Sequence, residues 1–172
     1  MILRPARAND AAAICAIHNP LIRDTLVTFT TVERTEEAVA ADIAARGVLF
    51  QVAEGGDGLL GFATCGTFRN GPGYAATMEH TVMLAPGARG QGVGRALMAR
   101  LEDAARARGV HVLVGGISGA NPAGLAFHAR LGFTEAGRLP EVGCKQGQWL
   151  DLVLMQKILC RNAAPDTGAV AG

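Results

Sequence analysis

The residues with the clearest chemistry form a glycine-rich turn between a predicted strand and a predicted helix. In order, the turn consists of Arg89, Gly90, Gln91, Gly92, Val93 and Gly94. A turn of this kind brings unpaired backbone N–H groups to a helix N-terminus, and glycine lets a phosphate approach the backbone closely. Arg89 adds a full positive charge. The turn therefore predicts a binding site for a phosphate group.

Two common phosphate-binding motifs do not match this turn. A P-loop requires a Lys-Ser or Lys-Thr pair after its last glycine, and no such pair follows Gly94. A dinucleotide-binding turn requires G-x-G-x-x-G, and Leu97 stands three residues after Gly94 in place of the third glycine. The sequence indicates a different class of phosphate-binding protein.

A candidate proton acceptor lies on the strand before the turn. Glu79 could take a proton from a nucleophile, directly or through a water molecule. The alternative is a solvated carboxylate on a strand. Because side chains alternate along a strand, the neighbouring His80 points to the opposite face and cannot share the same role.

The elements that must position these residues alternate between helix and strand patterns. Four helices are predicted: one capped by Asn9 or Asp10, with an apolar stripe of Ile14, Ile17 and Leu21; one from Thr35 to Gly47; one from the glycine-rich turn to Gly109; and one from Asn121-Pro122 to Gly132. The predicted strands are residues 48–53 and 59–68, joined by a turn over 54–58, and residues 76–84, 110–114 and 149–156. The segment 110–114 is apolar enough to be buried on both faces, and Leu150, Leu152 and Leu154 share one face of the last strand. We expect one mixed α/β domain over residues 1–160, with helices flanking a central sheet, and a disordered tail over residues 161–172.

Composition excludes several classes of function. The net charge of +1 gives no electrostatic footprint for nucleic acid or an anionic membrane. The apolar stretches are too short to cross a bilayer, and Arg4, Arg7 and Asp10 interrupt any signal-peptide pattern. A cytoplasmic protein with four reduced cysteines is therefore expected. The four histidines are scattered, so no metal site is expected.

Two motifs resemble those of the GCN5-related N-acetyltransferase (GNAT) superfamily. Arg89, Gly92 and Gly94 fill its pyrophosphate motif, [QR]-x-x-G-x-[GA]. Its later motif is present as Asn121 followed by Phe-His-Ala-Arg-Leu-Gly-Phe over residues 127–133. The resemblance implies the GNAT fold, acetyl-CoA as co-substrate, no metal, and transfer of the acetyl group to an amine.

The same resemblance implies roles for individual residues. The turn from Arg89 to Gly94 would bind the pyrophosphate, and the backbone of Thr81, Val82 and Met83 would run beside the pantetheine arm. Asn121 would hydrogen-bond that arm, cap the following helix, or do both. Glu79 would be the general base. His128 occupies the position of the tyrosine that protonates the thiolate in many relatives, and a plain helix histidine is the alternative.

A narrower resemblance concerns the phosphinothricin and methionine sulfoximine acetyltransferases. It rests on residues 77–82 (Thr-Met-Glu-His-Thr-Val), on Gly143-Cys144-Lys145 and on Trp149-Leu150-Asp151, and it covers residues 2–159. It implies direct attack by the α-amine of a small amino-acid analogue, and a homodimer. The residues expected to bind this substrate are Phe68, Arg69, Asn70, Met78, Glu79 and His80, with Arg69 meeting its carboxylate. Phe29 and Trp149 are candidate pocket walls, although core packing would explain Trp149 equally well.

Two other functions are compatible with the same motifs. A protein of the same fold could acetylate a different amine, such as a peptide N-terminus or an antibiotic. A non-catalytic acyl-CoA-binding module is the third possibility, and Glu79 argues against it because a pure binding protein needs no base.

Overall fold

A computed structural model describes residues 1–160; the tail expected over residues 161–172 lies outside the described residues. The helices are α1 (Ala11–Asp24), α2 (Glu36–Arg46), α3 (Val93–Ala107) and α4 (Pro122–Arg130). The strands are β1 (Ile2–Pro5), β2 (Phe50–Gly55), β3 (Gly58–Thr67), β4 (Thr77–Leu84), β5 (Val112–Ser118), β6 (Thr134–Lys145) and β7 (Gln148–Ile158). The predicted mixed α/β class and the four helices are confirmed.

All seven strands form one sheet in the order β1-β2-β3-β4-β5-β7-β6. Neighbouring strands are antiparallel except β4 and β5, which run parallel. Helices cover both faces of the sheet at β3 and β4, whereas β6 is mostly exposed. On one face α1 and α2 pack through Ile14, Ile17, Val39 and Ile43, and on the other α3 packs through Leu97, Met98 and Leu101.

Most predicted helix ends match the structure because their signals are local. The Thr35 hydroxyl accepts the Ala38 N–H (3.2 Å), and Gly47 ends α2 with φ of 53°. Gly109 and Gly132 also have positive φ, at 76° and 87°. A glycine avoids the steric cost that a side chain would impose in this conformation.

Three expectations about the elements were wrong or incomplete. Strands β1 and β6 were not predicted, and β5 runs from 112 to 118 rather than over 110–114. In α1, Ile22 is more deeply buried than Leu21. In β7, the face that enters the core carries Val153 and Met155 rather than Leu152 and Leu154.

Among residues 1–160, no helix is long and apolar enough to span a bilayer. Nor do the described residues contain a group of three or more His, Cys, Asp or Glu side chains that could hold a metal ion.

Candidate functional site

The site lies in a fork of the sheet. Strands β4 and β5 pair only from Thr77↔Val112 to Glu79↔Val114. Beyond that point β4 stays paired with β3 as far as Leu84, while β5 stays paired with β7 as far as Ser118. The two strands therefore diverge, and the gap between them opens into two adjoining cavities.

Five residues line both cavities and mark their junction: Val27, Val82, Met83, Asn121 and His128. The first cavity, of about 520 Å³, contains Glu79 and is closed by the loop over residues 25–34. The second, of about 550 Å³, leads to the glycine-rich turn. One ligand could lie in each cavity, with their reacting ends meeting at the fork.

The glycine-rich turn has the features expected of an anion site. Gly90 and Gly92 have φ of 78° and 80°, with open space where a Cβ would stand. Gly92 caps α3, so the first N–H groups of this helix lack intrahelical acceptors and point toward the second cavity. The Gln91 amide donates to the Gly87 carbonyl (2.6 Å) and so fastens the turn to the preceding segment. Gly94 instead allows α3 to pack closely against α4, because a Cβ at this position would lie 3.1 Å from the Phe127 ring.

The backbone of β4 offers further donors to the fork. The Ala85 N–H donates to the Leu60 carbonyl (2.9 Å), and pairing with β3 continues without a shift from Leu84 to Met78. Because hydrogen-bonding direction alternates along an antiparallel strand, the polar backbone groups of Thr81 and Met83 point toward β3. Those of Val82 and Leu84 point into the fork. Thr81, Val82 and Met83 were predicted to run beside the pantetheine arm, and of these three Val82 directs its N–H toward the second cavity. Leu84, which does the same, was not predicted.

Glu79 extends into the first cavity over Gly116 of β5. A Cβ at position 116 would stand 2.8 Å from the Glu79 carboxylate oxygen. The side chain is accessible from the cavity, but the walls remove part of its hydration and raise the pKa of the carboxyl above its usual value. A raised pKa makes a carboxylate a better proton acceptor near neutral pH.

His80 and His128 meet on the other side of β4. Their Nε2 atoms lie 2.9 Å apart, which joins β4 to α4. His80 Nδ1 lies 2.9 Å from the Val114 carbonyl oxygen, and His128 Nδ1 lies 2.7 Å from the Gly124 carbonyl oxygen. Both rings are buried and pack around Phe133. His128 is thus no surface histidine, and the opposite orientations expected for Glu79 and His80 are confirmed.

Asn121 performs the capping role. Its side-chain oxygen accepts the Gly124 N–H (2.9 Å) at the start of α4. Because Asn121 also lines both cavities, the cap holds its amide nitrogen near the fork.

The loop that closes the first cavity is held by two contacts with the edge strand β6. The buried Lys145 at the end of β6 donates to the Thr28 carbonyl (2.8 Å). The Phe29 ring lies against Gly143, where a Cβ would overlap it. Phe29 lines the cavity, as predicted.

Other predicted residues lie elsewhere. Phe68, Arg69 and Asn70 follow β3 and line neither cavity, and the Arg69 guanidinium sits 5.4 Å from the Phe68 ring centre. Met78 packs against the core, with its sulfur 3.6 Å from that of Cys65. The two interpretations of Trp149 were both wrong, because the residue is 67% exposed and lines neither cavity.

Several residues of the site were not singled out from the sequence. Gly115 and Gly116 of β5 leave space for the side chains of His80 and Glu79, which extend from opposite faces of β4. A Cβ at position 115 would lie 2.8 Å from the His80 ring. A glycine pair following an apolar strand is the signal that could have marked a close approach there. Arg34 is the arginine that lines the first cavity, and it is ion-paired with Asp42 (2.8 Å).

Comparison with known proteins agrees with this geometry. A family model for the acetyltransferase (GNAT) family matches residues 19–133. The L-methionine sulfoximine/L-methionine sulfone acetyltransferase of Salmonella typhimurium is 39% identical over 171 residues, which are 96% of this chain and 99% of that protein.

Two solved structures share the whole architecture. A GNAT superfamily phosphinothricin acetyltransferase from Sinorhizobium meliloti, in complex with acetyl-CoA, is 30% identical with a TM-score of 0.89 and aligns over 99% of this chain and 95% of that one. A ribosomal-protein-alanine N-acetyltransferase from Brucella melitensis is 39% identical with a TM-score of 0.87, over 92% and 98%. The family match, the full-length relatives and the fork in the sheet lead to one conclusion: the chain belongs to the acetyltransferase (GNAT) family.

Proposed function

We propose that this enzyme transfers the acetyl group of acetyl-CoA to the α-amine of a small amino-acid analogue of the phosphinothricin or methionine sulfoximine type. The observation that carries the proposal is the junction of two cavities, one with a carboxylate and the other with an anion-binding turn. The similarity to enzymes named for these two substrates supports the choice of acceptor.

The second cavity suits the co-substrate. The open space at Gly90 and Gly92, the N–H groups at the start of α3 and the charge of Arg89 fit a pyrophosphate. The inward-facing backbone of Val82 and Leu84 and the amide of Asn121 fit a pantetheine arm leading to the fork. When bound there, acetyl-CoA supplies the thioester whose acetyl group is transferred.

Glu79 is the proposed general base. The amine nitrogen bonds to the carbonyl carbon, the carbon–sulfur bond breaks, and Glu79 takes the proton that the nitrogen releases. The Val82 N–H can hydrogen-bond the carbonyl oxygen as it gains negative charge. His128, at the junction, faces the thiolate that leaves.

Glu79→Gln tests the base because the amide keeps the shape but cannot accept the proton. Turnover should fall by about 10²–10⁴-fold while acetyl-CoA still binds. In wild type, kcat should decline as pH falls through the raised pKa of Glu79, and the variant should lack that decline. Glu135→Gln, on the outer strand β6, is the matched control. Turnover of Glu79→Gln within about threefold of wild type would assign Glu79 a structural role.

We propose Arg69 as the partner of the substrate carboxylate, although it lies outside the lining of the first cavity. It follows the end of β3, where Thr67 pairs with Met78, the residue before Glu79. Arg69 forms no ion pair among the described residues, whereas Arg34 is already ion-paired with Asp42. Arg69→Ala should raise KM for methionine sulfoximine much more than KM for acetyl-CoA, because the substrate carboxylate loses its charge-assisted partner while the second cavity is unchanged. Arg100→Ala, on the exposed face of α3, is the control. An unchanged KM for the amine would exclude Arg69 as the partner and favour Arg34, which lines the first cavity.

A peptide N-terminus is the second candidate acceptor. The Brucella melitensis structure, whose name specifies a ribosomal-protein alanine, favours it at 39% identity. A thiol-release assay with phosphinothricin, methionine sulfoximine, a peptide that begins with alanine, and an amine without a carboxylate separates the candidates. Acetylation of the peptide or the carboxylate-free amine alone would overturn the proposed acceptor.

We further propose that the enzyme is a cytoplasmic homodimer. Unpaired cysteines suit a reducing compartment. Strand β6 is an edge strand, and Leu139, Val142 and Trp149 expose apolar side chains on the β6–β7 hairpin. A second copy covering this face would account for the exposure. In sedimentation experiments Trp149→Glu should yield monomers, whereas Val32→Glu, at another exposed apolar position, should not; a monomeric wild type would refute the dimer.

A further inference from the structure

The short contacts of the His80 and His128 rings determine how many protons the two rings share. Four ring nitrogens take part in three short contacts: Nε2 with Nε2, and each Nδ1 with a carbonyl oxygen. A carbonyl oxygen can only accept, so each Nδ1 must carry a proton. The contact between the two Nε2 atoms requires a third. Two neutral imidazoles hold only two protons, and would leave two lone pairs facing each other at 2.9 Å.

The third proton belongs on His128. His80 is the more deeply enclosed ring, and burial together with repulsion from His128 lowers its pKa. His80 is therefore neutral, with its Nδ1–H donated to Val114 and a lone pair on Nε2. His128 then carries both N–H groups and is an imidazolium. Burial lowers the pKa of His128 below its usual value, and the hydrogen bond to the Gly124 carbonyl offsets part of this shift. The three contacts nevertheless require a third proton, and a hydrogen bond to the His80 lone pair favours the protonated ring.

Among residues 1–160, no carboxylate forms an ion pair with His80 or His128. Glu79, next to His80 on β4, extends from the opposite face of the strand. The neighbour of His80 on β3 is Cys65, whose pKa burial raises to about 11, so its thiol is neutral. From β7, Lys157 lies over the Phe133 ring (5.8 Å) and is bonded to Glu102 of α3. An anion bound at the fork would therefore lie near a cation that has no anionic partner within the described part of the chain.

We propose that His80 is a positioning residue, a neutral acceptor that keeps His128 as an imidazolium whose charge stabilises the leaving thiolate at the junction of the two cavities. The inference rests on the proposed function and adds to it a role for His80. Both N–H groups of His128 are already donated, so the proton can pass to sulfur only after one contact breaks. In the resting geometry His128 acts through its charge.

Two substitutions of His80 separate this role from packing. His80→Phe keeps a ring beside Gly115 but removes the acceptor, and His80→Gln offers an amide oxygen that can accept the His128 Nε2–H. We expect kcat of His80→Phe to fall by about tenfold or more. The remaining activity should decline at a lower pH than in wild type as His128 loses its proton. His80→Gln should retain more activity and the wild-type alkaline limb. A packing role predicts the reverse order.

The resting enzyme provides a readout that does not depend on the substrate. Nitrogen-15 NMR at neutral pH should show protons on both nitrogens of His128 and only on Nδ1 of His80. His111→Gln, which changes a histidine outside both cavities, should leave these signals and the pH profile unchanged. Neutral His128 in wild type, or His80→Phe as active as His80→Gln with an unshifted alkaline limb, would overturn the proposal. A substrate panel that failed would refute the acceptor and leave the NMR result standing.

Discussion

Adding one methyl group at Gly116 should damage catalysis without damaging the fold. In Gly116→Ala the new Cβ would stand 2.8 Å from the Glu79 oxygen and 3.4 Å from the nearest carbon of Leu152. The second distance is ordinary contact, so only the carboxylate must move. It lies at the end of a flexible side chain and can do so at little energetic cost. Alanine also restricts the unfolded chain, which typically stabilises a protein by about 0.4–1 kcal/mol where the backbone suits it.

The catalytic loss follows from the size of that movement. Restoring ordinary contact displaces the oxygen by about 0.6 Å, which exceeds the tolerance of about 0.5 Å for a productive constellation. Since a misplacement of about 1 Å can cost about 10²-fold, we expect kcat to fall by about tenfold. The thermal midpoint should be unchanged or slightly raised. KM for acetyl-CoA should also be unchanged, because the second cavity is untouched.

Steady-state kinetics on a double-mutant cycle provides the test. If Gly116→Ala acts through Glu79, it should have almost no further effect in a Glu79→Gln background, because the residues are in contact and their effects are not additive. Gly137→Ala is the control, since it is also a strand glycine and a Cβ there meets nothing within 4 Å. Full activity of Gly116→Ala, or an equal loss in both backgrounds, would show that Gly116 does not act through Glu79.

Three further predictions concern the turn, the loop and the first helix. Gly92→Asp puts a carboxylate into the anion site and strains a φ of 80°, so calorimetry should show acetyl-CoA affinity lower by orders of magnitude; unchanged affinity in a folded variant would contradict the site. Lys145→Met removes the donor to the Thr28 carbonyl, so KM for the amine should rise several-fold while KM for acetyl-CoA stays constant. The hydrogen bond from Arg4 lowers the pKa of Asp10, so the ionised carboxylate stabilises the fold, and this stabilisation is lost as pH falls through that pKa. In urea titrations above pH 4, Asp10→Asn should lower the free energy of unfolding by about 1–3 kcal/mol. The stability of the variant should also depend less on pH in the acid range than that of wild type.

The sequence predicted the elements whose signals are local. Caps such as Thr35 and Asn121 and closing glycines such as Gly47 fix helix ends through contacts within a few residues. Strand β1 has only four residues, too few to show a period. Strand β6 contains Pro140 and two register shifts and is mostly exposed, so it has no alternation to detect.

The site was predictable only where one segment supplies it. The turn from Arg89 to Gly94 is contiguous, and Glu79 is fixed by its place on the preceding strand. The contact between His80 and His128 joins residues 48 positions apart, and that between Lys145 and Thr28 spans 117. Such contacts depend on how the sheet forks and on which loop crosses it, and neither is written in local periodicity. The exposure of Trp149 likewise depends on the position of its hairpin at the sheet edge.

The fork explains why adjacent residues can serve opposite ends of one reaction. Glu79 and His80 extend from opposite faces of β4, one toward the amine cavity and the other toward His128. On β5, Gly116 and Gly115 clear the space that these two side chains fill, one glycine for each face. Because side chains alternate with a period of two, a slip of one residue between the strands would put each side chain opposite the wrong glycine. The pairing of β4 with β5 from Thr77 to Glu79 fixes that register just before the two strands separate. These last paired residues therefore align both Glu79, the proposed base, and His80, the proposed partner of the His128 imidazolium.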